Sequence, residues 1–205
     1  MKEAIAIAHL KQSDPILGQI IEQIDTFELA NLPPETDLLT AVAQAIIYQQ
    51  ISTKVADKIY QRWLQLYNQS DCQTLTAQML LDTPEETLRS VGISRPKIRY
   101  LKDLAQKIIQ GFPTLSELAT MEDEAVIQTL IQIKGVGRWT AQMLLIFHLR
   151  RADVLPVDDL GIRSAIAKLY GLDSLPDPKT IEQLARKWQP YRSIACRYLW
   201  RSLAL

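Results

Sequence analysis

Two glycines one residue apart, in Lys134-Gly135-Val136-Gly137-Arg138, join two amphipathic stretches, Glu124 to Ile133 and Trp139 to Leu149. Apolar residues recur at helical spacing on both sides, so the chain must reverse between two helices inside this short segment. Glycine permits the dihedrals such a reversal needs and lets a ligand approach the main chain. Amides of Gly135, Gly137 and their neighbours, Val136 and Thr140 among them, would then point outward at the start of the second helix, where an anion binds well. Lys134 and Arg138 flank them. A bare Gly-x-Gly also describes a plain turn between packed helices. The amphipathic helices on either side are what favour a grip on phosphate, of the kind that holds a nucleic-acid backbone without reading its sequence.

Helical periodicity continues through the rest of the chain, and no run of alternating apolar residues is long enough for a sheet. Ser13-Asp14-Pro15 starts a helix carrying Ile16, Leu17, Ile20, Ile21 and Ile24. Leu32-Pro33-Pro34 is a break. A helix follows from Asp37 to about Gln50, and Ser52 or Thr53 caps another with Val55, Ile59, Trp63 and Leu66 inward. Thr74 to Leu80 and Pro84 to Val91 form shorter helices, the latter with Pro84 in its first turn. Ser94 begins a helix to about Gln110 whose exposed positions carry Arg95, Lys97, Arg99 and Lys102. Thr120 caps Met121 to Gln132, and after the central stretch Pro178 opens a helix to Trp188 before a last one from Tyr191. The expected class is all-α with short connections.

The formal net charge is zero, yet charge is segregated: residues 1–40 carry five more acids than bases, whereas 134–151 and 186–205 hold four and five bases with no acid. A neutral chain can therefore present a basic face. Two cysteines, Cys72 and Cys196, make neither a disulfide framework nor a zinc or iron–sulfur ligand set. The N-terminal sequence is charged too early for a signal peptide, and no apolar run suits a membrane span.

Leu155-Pro156-Val157-Asp158-Asp159 breaks the chain and opens another helix. One aspartate there is an ordinary N-cap, but capping does not require two. A second carboxylate at a helix N-terminus, kept ionised by the dipole and nearby amides, can stabilise a sugar carbocation or activate water.

Leu130 to Leu145 resembles the helix-hairpin-helix of the DNA glycosylase superfamily, HhH-GPD, and Val157-Asp158-Asp159 resembles its loop bearing an essential aspartate. GVGRWTAQ with LPVDDLGIR, the segment Ala45 to Ser52, and the tail from Lys187 to Trp200 resemble the 3-methyladenine DNA glycosylase II family in particular. The resemblance implies an all-α, two-lobed helix-hairpin-helix DNA glycosylase fold. A central lobe over 37–150 would contain the hairpin unit at 121–149, and residues 1–36 with 151–205 would form a second lobe across an active-site cleft. Larger members carry an extra N-terminal β-containing domain, for which the residues before the matched region are too few, so a compact version is expected.

The same resemblance implies that Asp159 is the catalytic carboxylate and leaves Asp158 as the cap beside the substrate. Trp139 and Trp200 match pocket aromatics, whereas Trp63 and Trp188 read as plain core. Gln50 matches the wedge that fills the gap left by a flipped base, where the best-known enzyme type has leucine. Trp139 also stands where related enzymes place a nucleophilic lysine, which implies a monofunctional glycosylase without strand-cleaving activity. Its substrates would be alkylated bases such as 3-methyladenine and 7-methylguanine, cationic leaving groups that need no general acid and that aromatic faces attract. No cofactor and no catalytic metal are implied; an alkali cation held by carbonyls around Ile131, Ile133 and Val136 is a family feature. The implied partner is double-stranded DNA with damaged bases, met by a monomer in the bacterial cytoplasm and nucleoid or in a eukaryotic nucleus. Two other readings stay open: a glycosylase for deaminated or mismatched bases, and a helix-hairpin-helix module that binds DNA without chemistry.

Overall fold

The computed structural model describes residues 2–24, 37–67 and 75–205. Among these there is no strand, so the all-α expectation holds. The helices are α1 (Lys2–Ser13), α2 (Pro15–Gln23), α3 (Leu38–Tyr48), α4 (Thr53–Gln65), α5 (Ala77–Asp82), α6 (Glu85–Ser90), α7 (Arg95–Ile109), α8 (Leu115–Ala119), α9 (Asp123–Leu130), α10 (Arg138–Phe147), α11 (Leu160–Tyr170), α12 (Pro178–Ala185) and α13 (Arg192–Ser202), with a 3₁₀ turn at Arg186–Trp188. The expected break at Leu32-Pro33-Pro34, Cys72 and the start of a helix at Thr74 lie outside the described residues. None of the helices described is long and apolar enough to cross a membrane.

The chain divides into two compact units, Met1–Pro33 with Leu145–Leu205, and Pro34–Leu144. The later boundary falls inside α10 rather than beyond it at residue 150. In the Pro34–Leu144 unit, α7 packs on both α3 and α5. Helix α3 is buried over most of its surface, through Leu38, Leu39, Ala41, Val42, Ala43, Ile46 and Ile47. On α4 the inward residues are Ala56, Tyr60 and Trp63, continued by Tyr67, with the Tyr60 and Trp63 rings stacked. Val55, expected inward, is exposed, because the helix is phased by its aromatic side chains.

Two cap assignments also change. Pro84 is itself the N-cap of α6, Thr120 closes α8, and Glu122 caps α9. Lys97 and Lys102, expected to be exposed, are half-buried and reach back to helix ends. Lys97 Nζ donates to the carbonyls of Ile47 and Gln49, both at 2.8 Å, at the end of α3. Lys102 Nζ donates to the carbonyls of Leu81 and Thr83 at the end of α5. A cation over the orphan carbonyls of a helix C-terminus satisfies them and opposes the dipole.

The other unit packs α1, α2, α11, α12 and α13 around a core that includes Leu10, Leu17, Ile162, Ile166, Ile181, Trp188 and Leu199. Asp14 starts α2 as the sequence suggests, its Oδ1 accepting the Ile16 and Leu17 amides. It does more than cap. Fully buried, its Oδ2 accepts the Trp188 indole N–H at 2.7 Å and the Tyr170 hydroxyl, with Lys187 Nζ at 3.1 Å. Burial pushes this carboxyl up, but the bonds from Tyr170, Trp188, Lys187 and the Leu17 amide outweigh it and hold it below the usual carboxylate range. The far end of α11 is thus tied to the start of α2.

Candidate active site

The loop ending in Asp158-Asp159 turns at Pro156, whose carbonyl accepts the Asp159 amide, and enters α11. Asp159, not Asp158, is the N-cap: its Oδ1 accepts the Ile162 amide at 2.8 Å, while Asp158 is exposed. The assignment of Asp158 as the cap is therefore corrected. Which aspartate caps depends on where the first helical turn starts, and that turn starts one residue later than the pair alone suggests.

The same Oδ1 accepts the Trp200 indole N–H at 2.8 Å. Asp159 is 9% exposed, and two N–H donors meet one oxygen of its carboxylate. Trp200 comes from α13 and stacks on Phe147, ring centres 5.8 Å apart and planes 30° apart. Within this unit the structure brings together Asp159, Trp200 and Phe147. Phe147 was missed by sequence reasoning, since a phenylalanine at the end of an amphipathic helix carries no sign of its partner. Cys196, buried one turn before Trp200, is an inert thiol whose pKa burial pushes up.

The other unit holds the glycine hairpin, Gln50 and Trp139. The hairpin spans the turn between α9 and α10. Gly135 has φ +79°, and a Cβ there would stand 2.2 Å from Cδ2 of Tyr100, so the Tyr100 ring packs against bare backbone. Among the described residues, neither the Gly135 nor the Gly137 amide has a hydrogen-bond partner. The Lys134 amide donates to Asp103, and the Val136 amide to the Ile133 carbonyl. Val136 and Thr140, expected at the interface, turn their side chains inward and are buried.

Both flanking cations are spoken for. Lys134 Nζ lies 3.3 Å from Asp103, and Arg138 forms a two-pronged pair with Glu124 at 2.9 and 2.6 Å. The Arg138 guanidinium holds the exposed Glu124 carboxyl down at about 2. The hairpin therefore offers an anion two amides, with side-chain charge already largely balanced. Its carbonyls are hard, neutral donors of the type that suits an alkali cation. Among those expected to bind one, the Ile133 oxygen accepts the Val136 amide and keeps a second lone pair.

Gln50 follows the end of α3 with φ +57°, a left-handed conformation that is uncommon outside glycine, and its side chain is exposed. Its turn is bolted to the hairpin by the neighbour that sequence reasoning passed over. Gln49 Nε2 donates to the Gly135 carbonyl at 2.9 Å and to Thr140 Oγ1 at 3.3 Å. Lys97 clamps the Gln49 carbonyl from the other side. Trp139, in the first turn of α10, is 45% exposed. Trp63 and Trp188, read as core, are fully buried.

A family model described as HhH-GPD superfamily base excision DNA repair protein matches residues 43–190. The DNA-3-methyladenine glycosylase 1 of Schizosaccharomyces pombe is 38% identical over 173 residues, 84% of this chain and 73% of the relative. Among solved structures, the S. pombe 3-methyladenine DNA glycosylase Mag1 in complex with abasic DNA superposes with a TM-score of 0.84 at 31% identity, covering 98% of this chain and 97% of that one. A DNA-3-methyladenine glycosidase from Bacillus halodurans gives a TM-score of 0.78 at 32% identity, over 96% and 88% of the two chains.

Proposed function

Since the chain belongs to the HhH-GPD superfamily of base excision DNA repair proteins, we propose that it is a monofunctional DNA glycosylase removing alkylated bases, 3-methyladenine and 7-methylguanine among them, from double-stranded DNA. What chiefly supports this reading is the buried Asp159 carboxylate, aimed by the Ile162 amide and the Trp200 indole.

An N-alkylated purine carries a positive charge, so when the bond from C1′ to the base nitrogen breaks, the electron pair neutralises the leaving base. The sugar is left as an oxocarbenium ion, and Asp159 is the anion that stabilises it in a site from which water is largely excluded. Water then adds to C1′ and gives up a proton, leaving an abasic sugar and a free base. No amine competes with that water, because the residue after the hairpin is Trp139. The stacked Trp200 and Phe147 rings offer electron-rich faces worth about 0.5–2 kcal/mol each to a cationic base.

Flipping costs a few kcal/mol, least where pairing is already damaged. Gln50 fills the gap, its side chain able to bond the orphaned base. The Gly135 and Gly137 amides hold a backbone phosphate, and a cation on the Ile131, Ile133 and Val136 carbonyls would add positive charge beside it. The enzyme acts as a monomer.

Asp159→Asn tests the assignment. It should bind methylated duplex DNA as the wild type does and release no free base by chromatography; undiminished release refutes it. The same assay on duplexes bearing deaminated or mismatched bases separates substrate classes. Absence of any released base from wild-type protein would favour a binding module instead.

A further inference from the structure

Gly161 has no local reason to be glycine. It sits in the first turn of α11 with a φ outside the left-handed region, where alanine would be favoured by about 0.5–1 kcal/mol on backbone entropy. It closes no helix and makes no turn. Its neighbours supply the reason: a Cβ at this position would stand 2.9 Å from Cδ1 and 3.1 Å from Nε1 of Trp200, and 3.0 Å from Oδ1 of Asp159. Those are the two residues joined by the 2.8 Å hydrogen bond. Neither can yield cheaply, because the indole is stacked on Phe147 and Oδ1 is fixed by the Ile162 amide.

We propose that Gly161 is a positioning residue of the glycosylase reaction: its missing side chain is the gap through which the edge of Trp200 reaches Asp159. The inference rests on the reading of Asp159 as the reacting carboxylate. The indole N–H, arriving from another helix, adds a second bond to the oxygen that the Ile162 amide already holds. The aromatic floor and the charge beneath the sugar are thereby set by one contact. A side chain at 161 would push the indole outward, cutting the bond to Asp159 and shifting the floor together. A displacement of about 1 Å in a reacting group costs on the order of 100-fold in rate.

The test is a two-by-two set: wild type, Gly161→Ala, Trp200→Ala and the double variant. Single-turnover release of 7-methylguanine is measured alongside DNA affinity and the solvent exchange of the Trp200 indole N–H by NMR. Gly161→Ala should lose about 10–100-fold in rate with DNA affinity unchanged, and its indole N–H should lose protection. In the Trp200→Ala background the added methyl should change the rate within about threefold, since the ring edge it displaces, Cδ1 included, is gone. Equal losses in both backgrounds, or a wild-type rate with a protected indole N–H in Gly161→Ala, would overturn the proposal. If Gly161→Ala fails to fold, recovery of folding in the double variant supports the same steric contact, and continued unfolding refutes it. An active Asp159→Asn would sink the premise about the carboxylate, while the exchange measurement would still decide whether Gly161 admits the Trp200–Asp159 bond.

Discussion

Gly135 and Gly137 lie two residues apart, yet the structure makes opposite demands on them. At Gly135, φ is +79° and an added Cβ would stand 2.2 Å from the Tyr100 ring. Alanine there takes a left-handed conformation at about 1–2 kcal/mol and forces the ring or the hairpin to move, an overpacking cost of about 1–3 kcal/mol. Together these destabilise by about 2–5 kcal/mol, which for a chain of this size lowers Tm by roughly 5–15 °C. At Gly137 a Cβ meets nothing within 4 Å and φ is not left-handed. Gly137→Ala should therefore melt within about 0.5 kcal/mol of wild type. Its new methyl can only meet whatever approaches the amide from outside. If that is a DNA phosphate, affinity for a methylated duplex, read by fluorescence anisotropy, should fall about tenfold, equivalent to about 1.4 kcal/mol. The salt slope of binding should hardly change, because no cation is removed and Lys134 and Arg138 are already paired. Wild-type affinity in Gly137→Ala would refute the phosphate grip, and a wild-type Tm in Gly135→Ala would refute the close approach of Tyr100.

Two further perturbations probe how the site is supported. Asp14→Ala strands the Trp188 indole, the Tyr170 hydroxyl and the Lys187 charge, and should cost about 3–5 kcal/mol in urea unfolding; a loss below 1 kcal/mol contradicts the network. Because the folded-state carboxyl lies below its unfolded value, its contribution is complete above that unfolded value, about 3.9, and is lost as pH falls through the folded one. The gap in Tm between wild type and Asp14→Asn should thus narrow as pH drops below about 4, and a constant gap would show that the charge is not what matters. Lys97→Met uncovers the Ile47 and Gln49 carbonyls at the end of α3 and should cost about 1.5–3 kcal/mol; an unchanged melting curve would mean that water replaces the ammonium fully.

Elements whose apolar stripes are strong, such as α2, α7 and α11, were legible from periodicity, as were the Asp14 and Ser94 helix starts. Helix α1 was not, because among its described residues only Ala6 and Leu10 are fully buried, while Ile5 next to Ala6 is exposed. A stripe of one alanine and one leucine is too weak to stand out in a sequence. The candidate site divides in the same way. Glycines, aspartates and tryptophans announce themselves by type, and Asp159 and Trp200 do meet. What the sequence hides is pairing across distance: Arg138 with Glu124, Lys134 with Asp103, Gln49 with the hairpin. Each pair joins separate elements of the chain, and no local spacing marks it. Phasing is hidden as well. Val55 lies one position before Ala56, and that single step decides which residue is buried.

The identity of the cap bears on how the catalytic assignment can be tested at all. Two aspartates in a row suggest a division of labour, one to cap and one to react, but the structure gives the cap bond and the indole bond to the same oxygen of Asp159. The cap is then part of the aiming device, since the bond that starts α11 also fixes where the carboxylate stands. It follows that Asp159→Ala is an ambiguous probe. It removes a cap worth about 0.5–2 kcal/mol and leaves the Trp200 indole N–H without its acceptor, so lost activity could reflect a loosened α11. Asparagine caps about as well as aspartate and keeps an acceptor oxygen for both donors while abolishing the charge. An Asp159→Asn protein with wild-type Tm and an unshifted Trp200 indole resonance, yet no base release, isolates the negative charge as the contribution to catalysis. If asparagine instead lowers Tm as far as alanine does, the two donors require a carboxylate to bind at all, and capping cannot be separated from catalysis at Asp159.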